Sequence, residues 1–437
     1  MSAAESDRTV DALLSHITEA RLREAVRTLT SVPSPTGREA QLAHLLADRL
    51  SACGYTAVAQ HLDEHQANAV GRLRGSGGGE DLMLYAPIDT LTTGVEELDV
   101  PWVGERLRPD MLAQARDEGP FVSGLGAGNP KGHAACILAL AEALAHVRPP
   151  LDGDVVVAFG AGGMPTNAVE APGFPARANT GHGVGCSFLL ERGWYTDHAV
   201  IAKPGEFVAH DEVGLTWFEI TVPGTHTYVG SRHRLPYRNP IVTAAEVATR
   251  LERWLADYPN RHRSATAAPQ GIIGSIAGGW ERMVAVTPAE CRLRLDIRIA
   301  PGTAPLQVKR ELLAFTREVG RQLDTELGLE MVLAVPGTST PSDAPIVRHA
   351  IAAWERTHRR PHQAASDNSG ATDANILRAR GIPTVRTGMP KVSSTELDID
   401  PSREFARGMN TVDVRAMRRL CEVLARITLA VTARTSH

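Results

Sequence analysis

Lys203 follows the apolar run Ala199-Val200-Ile201-Ala202 and precedes Pro204-Gly205, which places an ammonium group at the end of a buried strand. Desolvation there lowers an ammonium's pKa and makes it a base or an imine-forming nucleophile. The alternative is a lysine that reaches back to solvent from the strand end. Asp89 comes just after a second apolar run, Leu82 to Ala86. A carboxylate beyond the C-terminal end of a parallel strand lies where α/β sheets bind ligands. Its plainer use is an Asx turn or a helix cap. Asn129 and Lys131 belong to the Gly-rich stretch Gly124–Gly132, which opens a helix whose N-terminus suits an anion; the alternative is a simple Gly/Pro turn. His133 falls in the first turn of that helix, as a proton-transfer candidate or as a capping or surface imidazole. Arg298 and Asp296 share one face of an alternating strand, so the guanidinium either grips a substrate carboxylate or pairs with Asp296. Ser369, Gly370 and Thr372 form a small-residue loop suited to a polar ligand or to an ordinary helix-capping turn.

The elements that carry these residues alternate between strand and helix. Residues 10 to 53 read as helical, broken by Ser31–Glu39, with Thr36 and Glu39 in capping-box spacing. Strands are expected over 68–73, 81–86 and 154–159, and an Ala-rich helix over 132–147. Gly75–Gly79 reads as a hairpin tip. The pattern changes near residue 207: strand 216–222, amphipathic helix 240–257, alternating strand 290–298 and helix 305–322 fit a ferredoxin-like β-α-β-β-α-β unit. The chain then returns to the first pattern through Gly381–Val385 and ends in a helix over about 412–432.

With 437 residues the chain exceeds one comfortable core, and two domains are expected. A net charge of −4 gives no reason to invoke nucleic acid or membrane partners. The five scattered cysteines form no Cys-x-x-Cys pair and read as reduced thiols. The acidic start Met1–Asp7 lacks an apolar leader region, and no apolar run reaches the roughly 20 residues that span a bilayer, so a cytoplasmic protein is expected.

Five landmarks stand in order along the chain: Ser34-Pro35-Thr36-Gly37-Arg38-Glu39, the 124–132 loop, Gly278-Gly279-Trp280 with Asp296-Ile297-Arg298, Gly370-Ala371-Thr372-Asp373-Ala374, and Gly381-Ile382-Pro383-Thr384-Val385. Together they resemble the dinuclear zinc amidohydrolases typified by acetylornithine deacetylase and succinyl-diaminopimelate desuccinylase. The resemblance implies a hydrolase-like α/β catalytic domain with a central mixed sheet, spanning 1–206 and 325–437. It also implies an inserted ferredoxin-like α+β lid domain over 207–324 that forms a homodimer. In that family two zinc ions about 3.5–4 Å apart activate a water. Here the residues at the ligand positions differ. The first His corresponds to Pro87, the bridging Asp to Asn129, the Glu-Glu base and ligand pair to Gly162-Gly163-Met164, the acidic ligand before Pro204 to Lys203, and the last His to Asp400. Proline offers no lone pair and a neutral amide is a poor bridge between cations. The lid-domain His that reaches a dimer partner falls on Tyr228, and Asn239 resembles the lid-helix Asn. Segment 165–185, with Glu170, Arg177 and His182, is an insertion, either a lid or a surface loop.

Three readings follow. The first is a metal-independent enzyme, without cofactor, on a small amide, amino-acid or related polar metabolite. In it Lys203, Asp89, His133 and Tyr228 carry proton transfer, and Asn129, Lys131, Arg298, Asn239, Ser369, Gly370 and Thr372 bind substrate. The second is a non-catalytic ligand-binding homologue. The third is an amidohydrolase with a rewired metal site drawn from Asp89, His133, His182, Asp400 and Glu404.

Overall fold

The computed structural model describes residues 3–104, 106–365 and 367–434. Met1 and Ser2, on which part of the leader reading rests, lie outside the described residues. The chain divides into two compact units, one of residues 1–210, 340–364 and 372–437, the other of 211–339 and 365–371.

In the first unit, strands β1 (Thr56–His61), β2 (Ala67–Leu73), β3 (Leu82–Pro87), β4 (Val155–Gly160), β5 (His198–Ala202) and a late strand, Thr384–Thr387, form one sheet in the order β1-β2-β4-β3-β5-(384–387). The β1/β2 and β2/β4 pairs are antiparallel and the others parallel, so the sheet is mixed. Every residue of β3, β4 and β5 is buried, as a sheet covered on both faces requires. Alternation sorts their side chains. Leu82, Leu84 and Ala86 join a core with helix Gly132–Val147 and the C-terminal helix Val414–Val431, while Met83 and Tyr85 join a core with Cys186, Leu189 and Leu377. With both faces sealed, ligand chemistry is left to the strand ends.

The second unit holds β6 (Gly214–Pro223), β7 (Gly271–Gly278), β8 (Glu290–Ile299) and β9 (Gly328–Val335) in the order β7-β8-β6-β9, all antiparallel. Helices Pro240–Arg261 and Pro305–Gln322 complete the β-α-β-β-α-β order. That is the expected ferredoxin-like arrangement.

Three local expectations change. The first helical stretch breaks at Thr18, whose side chain accepts the Arg21 N–H to start helix Glu19–Thr30. Gly75–Gly79 is no hairpin tip, because β4 lies between β2 and β3; the loop instead donates from Ser76 and Gly77 to the carbonyls of Leu151 and Asp152. Thr36 and Glu39 form no capping box, since helix Ala40–Ala52 has no side-chain cap at Glu39 and both side chains are used elsewhere. Among the described residues no helix is long and apolar enough to cross a membrane. All five cysteines are free.

Candidate functional site

Asp89, two residues past β3, is fully buried and acts as an anchor. Its Oδ1 accepts the Gly163 N–H at 2.8 Å, and its Oδ2 accepts the Met164 N–H at 2.9 Å and the Thr36 hydroxyl at 2.7 Å. Burial pushes its pKa up, opposed by the Thr36 hydrogen bond and then by the charge of Lys203. Glu39 lies beside it, also buried. Its Oε1 accepts from Gly37 N and Gly162 N, each at 2.9 Å, and from Gln66 Nε2 at 3.3 Å. Its Oε2 is buried with no hydrogen-bond partner. Burial, then the Asp89 charge, raise the Glu39 pKa well above the usual carboxyl value. Three successive amides, Gly162, Gly163 and Met164, thus point into two carboxyl groups. Each carboxyl accepts three hydrogen bonds, so it is the nearby Lys203 ammonium that favours the anion on Asp89 and leaves the proton on Glu39.

Lys203 closes β5 with only 5% of its surface exposed, so it does not reach back to solvent. Its Nζ donates to Asn129 Oδ1 at 3.4 Å, and Asn129 Nδ2 meets Met409 Sδ at 3.5 Å. His133 is buried behind them; its Nε2 accepts the Met389 N–H at 3.3 Å, and the ring also faces the Gly128 backbone. Burial, then the charges of Lys203 and Arg386, push the imidazole pKa down to about 3. His133 is therefore a neutral acceptor at ordinary pH, neither the surface nor the capping residue expected. Arg386, also buried, donates to the Pro204 carbonyl next to Lys203. An apolar cavity of about 200 Å³ opens at Asn129, walled by Leu91, Val103, Met111, Phe405 and Met409.

The sequence-predicted residues divide. Lys203, Asp89, Asn129 and His133 lie in one unit and come together. Lys131 turns away: it is fully buried, its Nζ donates to the Val32 carbonyl at 2.8 Å, and burial lowers its pKa to about 7. Thr372 accepts the Ala374 N–H at the start of a short helix. In the other unit Arg298 makes a two-point pair with Asp296, 2.7 and 2.9 Å. Asn239 caps helix Pro240–Arg261 through the Ile241 N–H. Ser369 donates to the Ala268 carbonyl and the Gly370 N–H goes to Asn368 Oδ1. Tyr228 is 53% exposed.

The sequence reading missed Glu39 and the buried Tyr85–Asp373 pair, in which the phenol donates to Asp373 Oδ2 at 2.6 Å. Strand alternation was the available signal for Tyr85. The 165–185 segment is a packed cap over the 34–39 turn. Arg177 bonds Asp63 and the Gly37 carbonyl, Gln66 Nε2 donates to the Thr180 carbonyl at 2.6 Å, and Arg38 Nη2 donates to the Val169 carbonyl at 2.6 Å. Gly37, at φ +87°, lies so close beneath it that an added Cβ would sit 2.6 Å from Ala168 Cβ.

Two metal ions do not fit this donor set. The Lys203 ammonium is hydrogen-bonded to the Asn129 amide, and Asp89 uses both oxygens on the protein. Among the described residues no group of three or more His, Cys, Asp or Glu is gathered to hold a metal ion. Of the alternative ligands, Asp400 Oδ1 holds the Ser402 N–H and hydroxyl, Glu404 Oε2 holds the Ser394 N–H and hydroxyl, and His182 sits in the cap segment at φ 60°.

The sequence profile of the peptidase dimerisation domain matches residues 211–324. Among solved structures the chain is similar to the di-peptidase Dug1p of Saccharomyces cerevisiae, with 9% identity, 97% of this chain and 98% of that chain covered, and a TM-score of 0.71. It is similar to human carnosine dipeptidase 1, with 11% identity, 98% of each chain covered and a TM-score of 0.70. It is also similar to the YxeP protein of Bacillus subtilis, described as a dinuclear metal binding peptidase from the M20 family, with 14% identity, 95% and 99% covered, and a TM-score of 0.62. The chain has the fold of the M20 peptidases, an α/β catalytic-type domain carrying a dimerisation-type domain.

Proposed function

We propose that this chain is a metal-independent enzyme acting on a small amide, amino-acid or related polar metabolite, with the Lys203 ammonium in the electrostatic role that metal ions fill in dinuclear relatives. The observation that carries the reading is the buried Lys203 Nζ at 3.4 Å from Asn129 Oδ1. A preorganised cation in a water-poor site stabilises the negative charge that a carbonyl oxygen gains during acyl transfer or elimination. Asn129 orients the ammonium, and Asp89 holds loop 162–164 and balances the charge. Neutral His133 fixes the 388–389 backbone behind Lys203.

The test is a panel of N-acyl amino acids and dipeptides incubated with chelator-treated protein and read by mass spectrometry. Turnover that persists under chelation and falls about 100-fold or more in Lys203→Met supports the reading, a loss of the size seen when one transition-state donor is removed. Turnover that chelator abolishes and zinc restores refutes it. A second reading, binding without turnover, is favoured by the replacement of the base position with Gly162-Gly163-Met164, whose amides are spent on Asp89 and Glu39. Under it the same panel raises the melting temperature without forming product. Assembly as a homodimer is part of the proposal. It is supported by the dimerisation-domain match and by Ile272 and Ile276, 61% and 54% exposed on edge strand β7.

A further inference from the structure

The 200 Å³ cavity beside Asn129 has a neighbour. Val103, Arg108 and Ala406 also line a second, more open cavity of about 430 Å³, so the two adjoin along a shared wall. The inner part is walled by Leu91, Met111, Phe405 and Met409, while the outer part adds Arg106 and Arg403. The arginines differ in what they already hold. Arg108 is bound to buried Asp110 through two contacts of 3.1 Å, and Arg407 bridges Asp110 and Glu118, a set of two cations and two anions that balances itself. Arg106 and Arg403 make no ion pair among the described residues. Asp400 lies near Arg403, but its Oδ1 already takes the Ser402 N–H and hydroxyl. The two adjoining cavities therefore offer a polar floor at Asn129, apolar walls, and an outer rim with cationic charge to spare.

The geometry points to an elongated substrate with a carbonyl or amide head at Asn129, the hydrogen-bond partner of Lys203, an apolar body of several carbons in the inner cavity, and a terminal carboxylate held by Arg106 and Arg403 in the adjoining one. This deepens the proposed function and rests on it for the place of the head group. The size suits such a molecule, since ligand sites occupy about 300–1,000 Å³ and combine apolar walls with a few convergent polar groups. Guanidinium groups suit a carboxylate because their N–H pairs match its two oxygens. Both arginines are exposed, so removing them leaves the fold intact.

The experiment is calorimetric titration of the full chain with adipic acid monoamide and with hexanamide, which share chain length and differ in the terminal carboxylate. Wild type is expected to bind the monoamide about tenfold more tightly, a ratio that about 1.4 kcal/mol supplies, and to lose that preference as salt is raised. In the double variant Arg106→Ala/Arg403→Ala the monoamide falls to the level of hexanamide, which is itself unchanged. Equal affinities in wild type, a preference that survives in the double variant, or failure of both probes to bind would each overturn the inference. Lys203→Met separates the two proposals, because it weakens both probes by the same factor if the head group sits at Lys203. If it weakens neither while the arginine effect persists, the carboxylate site stands and the head-group placement fails.

Discussion

Glu39→Gln isolates the proton that the structure assigns to Glu39. The carboxyl is buried, its Oε1 holds three N–H donors, its Oε2 has none, and Asp89 lies beside it. Its pKa in the folded state is therefore raised above the unfolded value of about 4.5, chiefly by desolvation. Between that unfolded value and the folded one, the native state binds a proton that the unfolded state has released. Stability must then fall as pH rises through the window, by about 1.4 kcal/mol per pH unit. Glutamine keeps the acceptor for Gly37 and Gly162 and does not titrate. The stability of wild type minus that of Glu39→Gln should therefore fall as pH rises above about 4.5, with a limiting slope of about 1.4 kcal/mol per unit. A constant offset, from the glutamine NH2 group facing the spot where Oε2 has no partner, shifts the difference at every pH and leaves the slope alone. Paired thermal melts at stepped pH read it, at roughly 2 °C per kcal/mol for a unit of this size. A flat difference across the window would show that Glu39 is ionised in the native protein, and the division of charge between Glu39 and Asp89 would be wrong.

His133 titrates in the opposite sense. Burial lowers its pKa to about 3, so between 3 and 6.5 the unfolded chain holds a proton that the native one refuses. Relative to His133→Gln, which can still accept the Met389 N–H, wild type should lose about 1.4 kcal/mol per unit as pH falls below 6.5, measured by the same paired melts. The two slopes oppose each other in wild type above about pH 4.5, and the variant pairs separate them. Lys131, lowered to about 7, strains the native state wherever it is forced to charge. Lys131→Met should exceed wild type in melting temperature at pH 7, and the gap should close by about 1.4 kcal/mol per unit toward pH 9, less the loss of the Val32 hydrogen bond. A gap that is constant with pH would place the Lys131 ammonium in water.

What the sequence made legible was periodic or terminal. Helices Gly132–Val147 and Pro305–Gln322 appear over the residues that their apolar spacing predicts, and the alternation Glu290–Arg298 lies within strand β8. Lys203, Asp89 and Asn129 were legible as positions because a strand end or loop after an apolar run faces the same side of a parallel sheet. Partners distant in sequence were not legible. Thr36 and Glu39 have the local spacing of a cap, yet Thr36 is committed to Asp89, 53 residues away, and Glu39 to Gly162, 123 away. Lys131 sits in the same loop as Asn129 and still points to the opposite side, because the backbone around Asn129 is not helical and the two side chains part. Arg298 and Asp296 share a face as period two requires, and the shared face alone left open whether the guanidinium turns to a ligand or to its neighbour.

Asp89 ties the residues around it into one charge-balanced group. If Asp89 served only to orient a ligating imidazole, Pro87 would leave it a buried charge without a use. Instead it binds the end of β3 to the loop after β4 through the amides of Gly163 and Met164, and to the 34–39 turn through Thr36. Glu39 repeats the pattern with Gly162 and Gly37. An acidic pair at 162–164 would crowd further negative charge against these two carboxyls, which is tolerable only with a strong cation nearby. Lys203 supplies one positive charge and an amide at 129 adds none, so the pocket balances with one ionised and one protonated carboxyl. Placing an acidic side chain at 129 or 203 would add negative charge to a pocket that already holds two buried carboxyls. The ammonium, the Gly-Gly-Met loop and the neutral Asn129 are therefore physically interdependent, and each makes sense only in the presence of the other two.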